Sequence, residues 1–206
     1  MAIARSASGI DRRPSADARA RRDTVEFIRT AQLDWFARIR PYLGGANLNV
    51  GSGHGFFSRA ARQAGLGMTS LEVSVRDIAR DQDPLVIYDG EHMPFPDRAF
   101  DTSVAMYVLH HTVHPPTVLG EMKRVSRQRI ILVEELYRHL PGKLRLALLD
   151  YSVNSSSGLK SPIHWGSYLT RGRLARLAET GGWKVVHTES RRRLGFDEDL
   201  WVIDRD

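Results

Sequence analysis

Asn47-Leu48-Asn49-Val50-Gly51-Ser52-Gly53-His54-Gly55-Phe56 decides how this chain folds. A short apolar run enters glycines at alternate positions and leaves as helix-forming sequence, the pattern of a strand turning tightly into a helix. Glycines there admit backbone conformations closed to other residues and let a ligand approach the main chain beside the positive end of the helix. The G-x-G-x-G spacing of Gly51, Gly53 and Gly55 is not the G-x-G-x-x-G of dinucleotide folds, and no Gly-Lys-Ser/Thr follows as in a P-loop. A nucleoside ligand without a pyrophosphate fits better. Glu72, at the end of the next apolar run, is placed where an acid meets the two hydroxyls of a ribose.

Outward from this loop, short apolar runs alternate with helical stretches. Strands are predicted over 46–50, 68–73, 85–88, 102–107 and 129–134, and helices over 56–64, 74–80 and 115–125. A helix over 170–180, stopped by Gly181-Gly182, precedes two more strands over 184–189 and 200–203. The alternation predicts an α/β fold: a doubly wound, Rossmann-like, seven-stranded, mostly parallel sheet with helices on both faces. Upstream, Val25, Ile28, Ala31, Trp35, Phe36 and Ile39 recur at helical spacing, and Pro41 bounds that amphipathic helix.

The 206 residues suffice for one domain, expected over 23–206. Absence of cysteine excludes disulfides, thiolate nucleophiles and thiolate metal sites. No apolar run is long enough to span a bilayer, and the first 30 residues lack the apolar core of a secretory signal, so a cytoplasmic protein is expected. The formal net charge is +6, but the first 22 residues hold six arginines against two aspartates. Poor in large apolar residues, residues 1–22 read as a flexible basic arm, and the rest is nearly balanced. The charge therefore does not make a nucleic-acid-binding domain.

Three further segments resemble, in order, those of the class I S-adenosylmethionine-dependent methyltransferases, in the small group that is similar to the ubiquinone/menaquinone methyltransferases. They are Asp89 to Asp101, with Met93-Pro94-Phe95-Pro96-Asp97 inside it, then Val108-Leu109-His110-His111, then Tyr168 to Trp183. The resemblance covers residues 44–204 and implies S-adenosyl-L-methionine as cofactor, released as S-adenosyl-L-homocysteine. It implies that Gly51, Ser52, Gly53 and Gly55 form the loop under the methionine moiety and that Glu72 holds the ribose hydroxyls. Val73 would pack on the adenine, Asp89 and Gly90 would face its exocyclic amine, and Met106 would lie near the reacting methyl. Asn49 departs from the pattern, standing where the family carries an acid. It keeps hydrogen-bonding capacity but lacks the charge that would complement the cofactor's ammonium.

Methyl transfer from a sulfonium is an in-line displacement that demands alignment, plus a base where the nucleophile carries a proton. His164, His111 and Tyr107 are the catalytic candidates, histidine because it titrates near neutrality. His110, His111 and His114 could share a face, but no carboxylate lies near them in sequence, so no metal is expected. The long connection over 140–166 reads as a lid that covers the substrate together with the helix bearing Trp35, with Tyr151 and Trp165 as pocket walls. The acceptor is expected to be a small molecule with an oxygen, nitrogen or carbon nucleophile; nucleic acid is not expected as a partner. An RNA methyltransferase using the basic arm, and a non-catalytic partner protein of the same fold, remain as alternatives.

Overall fold

β1 (Ala46–Val50) is buried from Asn47 to Val50 and pairs in parallel on both sides, with β2 (Gly67–Glu72) and β4 (Phe100–Met106). A strand enclosed on both faces and both edges is the kind that parallel α/β sheets place at their centre. The chain runs outward through β2 to β3 (Leu85–Ile87), returns to begin the other half at β4, and continues to β5 (Ser126–Leu136). β7 (Phe196–Arg205) then lies antiparallel between β5 and the edge strand β6 (Trp183–Arg193), giving the order β3-β2-β1-β4-β5-β7-β6. This is the expected seven-stranded, doubly wound sheet. The order reverses between β1 and β4, where the strand carboxyl ends open a ligand crevice. The computed structural model describes residues 15–74, 84–159, 161–193 and 195–206. The helix expected over 74–80 lies outside them, apart from Ser74.

Alternation along β5 assigns the layers. Ile130 and Leu132 pack with Val118, Leu119 and Met122 of α3 (Pro115–Val125) and with Leu174 and Ala178 of α5 (Arg171–Ala178). Ile131 and Val133 face the opposite layer, with Trp35 and Ile39 of α1 (Ala16–Ile39) and Phe57 and Ala61 of α2 (Phe56–Gln63). α4 (Leu140–Ser157) forms a smaller cluster, its Leu146 and Ala147 against Tyr168 and Phe196.

Three expectations change. α1 begins at Ala16, capped by Ser15, whose Oγ accepts from the Ala18 amide at 3.2 Å, so residues 16–22 of the expected arm are helix. Low apolar content implied disorder, yet Ala and Arg are strong helix formers and an exposed helix needs few apolar residues; residues 1–14 lie outside the described residues. Most of the connection expected over 140–166 is one helix, α4, running from a His139 cap to Gly158 at φ +83°. Its Asn154 and Ser157 read as loop formers, but both are buried, and tertiary packing keeps them helical. β6 and β7 extend well past the expected strands into a long hairpin. Arg38 pairs with Glu189, Arg191 with Asp34, and the Arg193 guanidinium lies 4.0 Å over the Phe27 ring, tying that hairpin to α1.

Candidate functional site

One cavity of about 460 Å³ occupies the crevice, within the range of small-molecule sites. Its first half is the glycine loop. Gly51 has φ +64°, and a Cβ there would come within 2.6 Å of Val108 Cγ2, so the loop passes too close to the turn after β4 for any side chain. Gly53 has φ +52°, but a Cβ there would meet nothing within 4 Å. Gly55 takes the left-handed conformation as the residue capping α2. The buried Glu72 carboxylate accepts from the Gly53 amide at 2.9 Å and from the Val73 amide at 3.0 Å, clasping the loop to the end of β2. Asp89 accepts from the amides of Glu91 and His92 at 2.8 and 2.7 Å; these bonds and the His92 ring hold its pKa down to about 2.

The second half is polar. Glu134 Oε1 accepts from the Val108 and Leu109 amides at 3.0 and 2.7 Å, fixing the turn after β4, and its Oε2 meets His110 Nδ1 at 2.7 Å. His110 Nε2 and His111 Nε2 both face Asp150 Oδ1, at 3.7 and 3.3 Å. Asp150 also accepts from Asn154 Nδ2 at 2.6 Å and from the Tyr168 hydroxyl at 3.0 Å. Burial opposes charge on His110, but Glu134 and Asp150 outweigh it and push its pKa up to about 10. The two histidines hold Asp150 well below the usual carboxylate range, against the effect of its burial. Glu135, at the end of β5, lines the same cavity, and no described residue donates to it. Burial pushes its pKa up to about 7; Glu198, Asp150 and Glu134 add to the shift and His110 opposes it.

Gly51, Gly53, Glu72, Val73, Asp89, Gly90 and Met106 thus come together in this cavity, and so do Tyr107, His111 and His164. Asn49, Ser52 and Gly55 stand behind the loop. Neighbours of Asn49 on β1 face the α3 layer, so Asn49 points the other way, and its Nδ2 donates to Ser58 Oγ of α2 at 2.8 Å. The missing acid in the family pattern therefore does not leave a gap in the cavity wall. The Tyr107 hydroxyl accepts from Trp35 Nε1 at 2.7 Å, and burial raises its pKa well above the ordinary phenol value. Trp35 is itself core; Phe27, Ile28, Ala31 and Gln32 are what α1 presents to the cavity. Tyr151 and Trp165, expected as walls, are 62% and 48% exposed and lie elsewhere, because the α4 face turned inward is that of Leu149, Asp150 and Val153. His114 pairs instead with Glu91 at 3.0 Å on the surface, and the carboxylate that completes the histidine pair is Asp150, distant in sequence. Glu134, Glu135, Asp150 and Glu198 were not anticipated. The sequence signal for the first two is two acids directly following the apolar run Ile130 to Val133.

Strand order and glycine crevice define a class, and a family model agrees: residues 48–133 match that of a methyltransferase domain. Over that stretch the chain is similar to a methyltransferase domain, and its fold is that of the class I S-adenosylmethionine-dependent methyltransferases. Among curated proteins it is similar to the ubiquinone/menaquinone biosynthesis C-methyltransferase UbiE of Cupriavidus pinatubonensis (strain JMP 134 / LMG 1197), 33% identical over 103 residues, 44% of this chain and 42% of that one. The chain thus spans less than half the length of that relative. Among solved structures, magnesium protoporphyrin IX methyltransferase (ChlM) from Synechocystis PCC 6803, with S-adenosylhomocysteine bound, superimposes with TM-score 0.64 at 14% identity over 96% of this chain and 90% of that one. A SAM-dependent methyltransferase from Methanosarcina mazei gives TM-score 0.60 at 16% identity over 81% of this chain and 96% of that one. Among the described residues no helix is long and apolar enough to cross a membrane.

Proposed function

We propose that this chain transfers a methyl group from S-adenosylmethionine to a small acceptor held in the polar half of the cavity. The observation that carries this reading is continuity: one cavity joins the glycine loop, Glu72 and Asp89 to Tyr107, His111 and Glu135. The cofactor's fit is supported by Gly53, whose missing side chain would occupy open space, and by the carboxylate clasp of Glu72. When bound, the cofactor supplies an electrophilic methyl. Glu72 and the Gly53 amide orient the ribose end, Asp89 and Gly90 border the adenine, and Met106 closes the floor toward the acceptor. Phe27, Ile28 and Ala31 exclude water from one side, and residues from the 140–166 segment, including Leu149 and Val153, cover another. That enclosure suits a small molecule better than a strand of RNA.

We place the proton-accepting role, needed for a hydroxyl or amine acceptor, on Glu135. Tyr107 holds its proton too tightly, and His111 has Nδ1 against the Pro162 carbonyl at 3.2 Å and Nε2 against Asp150. His164 serves as a wall of the cavity. Calorimetry with S-adenosylhomocysteine tests the cofactor half: the full chain binds it, Glu72→Ala weakens binding at least tenfold, and a folded chain that binds neither S-adenosylhomocysteine nor S-adenosylmethionine at millimolar concentration refutes the reading. Mass spectrometry of turnover mixtures containing candidate phenols, amines and carbon acids then identifies the acceptor.

A further inference from the structure

His110, His111 and Asp150 have the donor pattern of a metal centre. Each imidazole engages Nδ1 elsewhere, His110 with Glu134 at 2.7 Å and His111 with the Pro162 carbonyl at 3.2 Å. With Nδ1–H donated, a neutral ring carries its lone pair on Nε2. Both Nε2 atoms converge on Asp150 Oδ1, at 3.7 and 3.3 Å, so two lone pairs and an anionic oxygen point into one small volume. Either a proton or a metal cation can hold such electron-rich atoms together, and the convergence of three donors on one point is the geometry of the metal. The three ligand atoms lie within 4.8 Å of one another, and tetrahedral bonds of about 2.1 Å place donors about 3.4 Å apart.

The surrounding contacts are those that orient ligands in metal sites: a carboxylate behind one imidazole, a carbonyl behind the other, and two donors on the ligating carboxylate. Those two donors are Asn154 at 2.6 Å and Tyr168 at 3.0 Å. Charge agrees as well. Glu134 and Asp150 are both buried, and a divalent ion between neutral imidazoles would balance them.

We propose that His110, His111 and Asp150 bind a divalent first-row transition ion whose remaining coordination positions open into the cavity. Two imidazoles with one carboxylate suit zinc, iron, manganese or cobalt and leave room for a further ligand. On the methyl-transfer reading, on which this consequence alone rests, that ligand is a hydroxyl or enol oxygen of the acceptor. The ion would lower the oxygen's pKa and Glu135 would take the proton; the oxygen or the conjugated carbon would then attack the methyl as the S–CH3 bond breaks and S-adenosylhomocysteine leaves, a carbon product releasing its own C–H proton to solvent. Binding the ion displaces to solvent any proton held between the rings and Asp150.

The test uses the full chain stripped with chelator and titrated with Co²⁺, then with Zn²⁺. One equivalent of Co²⁺ is expected, with visible ligand-field bands that Zn²⁺ abolishes, and X-ray absorption of the zinc form shows two imidazoles. His111→Ala, on a partly exposed turn, and Asp150→Asn each weaken Co²⁺ binding at least tenfold, whereas His114→Ala does not. Circular dichroism and S-adenosylhomocysteine calorimetry on every variant report folding and cofactor binding separately. Substoichiometric Co²⁺ uptake, zinc without imidazole ligation, or affinity unchanged in His111→Ala overturns the metal site. If S-adenosylhomocysteine binding survives any of these, the methyltransferase reading stands without it.

Discussion

Two glycines of one loop should respond in opposite ways to the same added methyl. Gly51→Ala forces a side chain into the left-handed region at φ +64° and puts Cβ 2.6 Å from Val108 Cγ2. The left-handed backbone costs about 1–2 kcal/mol and overpacking about 1–3 kcal/mol, so the expected loss of stability is about 2–5 kcal/mol. For a chain of this length that is a fall in Tm of roughly 5–15 °C. Gly53→Ala carries the backbone cost alone, since its Cβ at φ +52° meets nothing within 4 Å. Its methyl instead enters space where a cofactor would pass, and S-adenosylhomocysteine affinity falls at least tenfold, about 1.4 kcal/mol. Urea denaturation and calorimetry on both variants separate the two effects. Adding Val108→Ala to Gly51→Ala should recover the overpacking part and none of the backbone part. The reasoning fails if Gly51→Ala costs less than 1 kcal/mol, or if Gly53→Ala destabilises as much as Gly51→Ala and leaves affinity unchanged.

Glu135→Gln should lower kcat about 10²–10⁴-fold with a proton-bearing acceptor while leaving S-adenosylhomocysteine binding intact, read by steady-state kinetics beside calorimetry. Trp35→Phe removes the 2.7 Å donor to the Tyr107 hydroxyl and should cost about 1–3 kcal/mol in urea melts, with a coupling of about 1 kcal/mol in the double-mutant cycle with Tyr107→Phe. Asp101 accepts from the Ala46 amide at 2.9 Å and from Arg127 at 2.9 Å, which hold its pKa below the ordinary value. Its contribution is therefore complete above the unfolded carboxylate pKa and lost as pH falls through the folded one. Asp101→Asn should cost about 1 kcal/mol at pH 7, and the gap to wild type should close on acidification, as equilibrium denaturation across pH 2–7 will show.

The fold was legible because parallel strands buried on both faces leave continuous apolar runs, and the glycine loop marks where the first of them turns. α3 was read to its ends, since Pro115 starts it and the strand-forming run after Val125 stops it. Errors fell where tertiary contacts override local signals. Asn154, a loop former by composition, is helical because its amide reaches the Asp150 carboxylate and carbonyl. The glycine half of the cavity was legible for the same reason as the fold: it sits on backbone turns close to β1, and turns write themselves as glycines. Asn49, Ser52 and Gly55 do not line the cavity; for Asn49 the cause is strand parity, because period-two alternation sends it to the α2 side while the loop it precedes faces the crevice. The polar half of the cavity is assembled differently. Glu134 lies near the end of β5, His110 follows β4 and Asp150 sits inside α4, so their meeting depends on how α4 packs, chiefly against α1. Histidines without a nearby carboxylate in sequence gave no reason to expect a cation. Folding supplies that carboxylate from α4, the same helix whose Leu149 and Val153 wall the cavity. A displacement of α4 would therefore alter enclosure and electrostatics together, so on the proposed methyl transfer substitutions in this helix, more than in the glycine loop, are expected to change which acceptor is used.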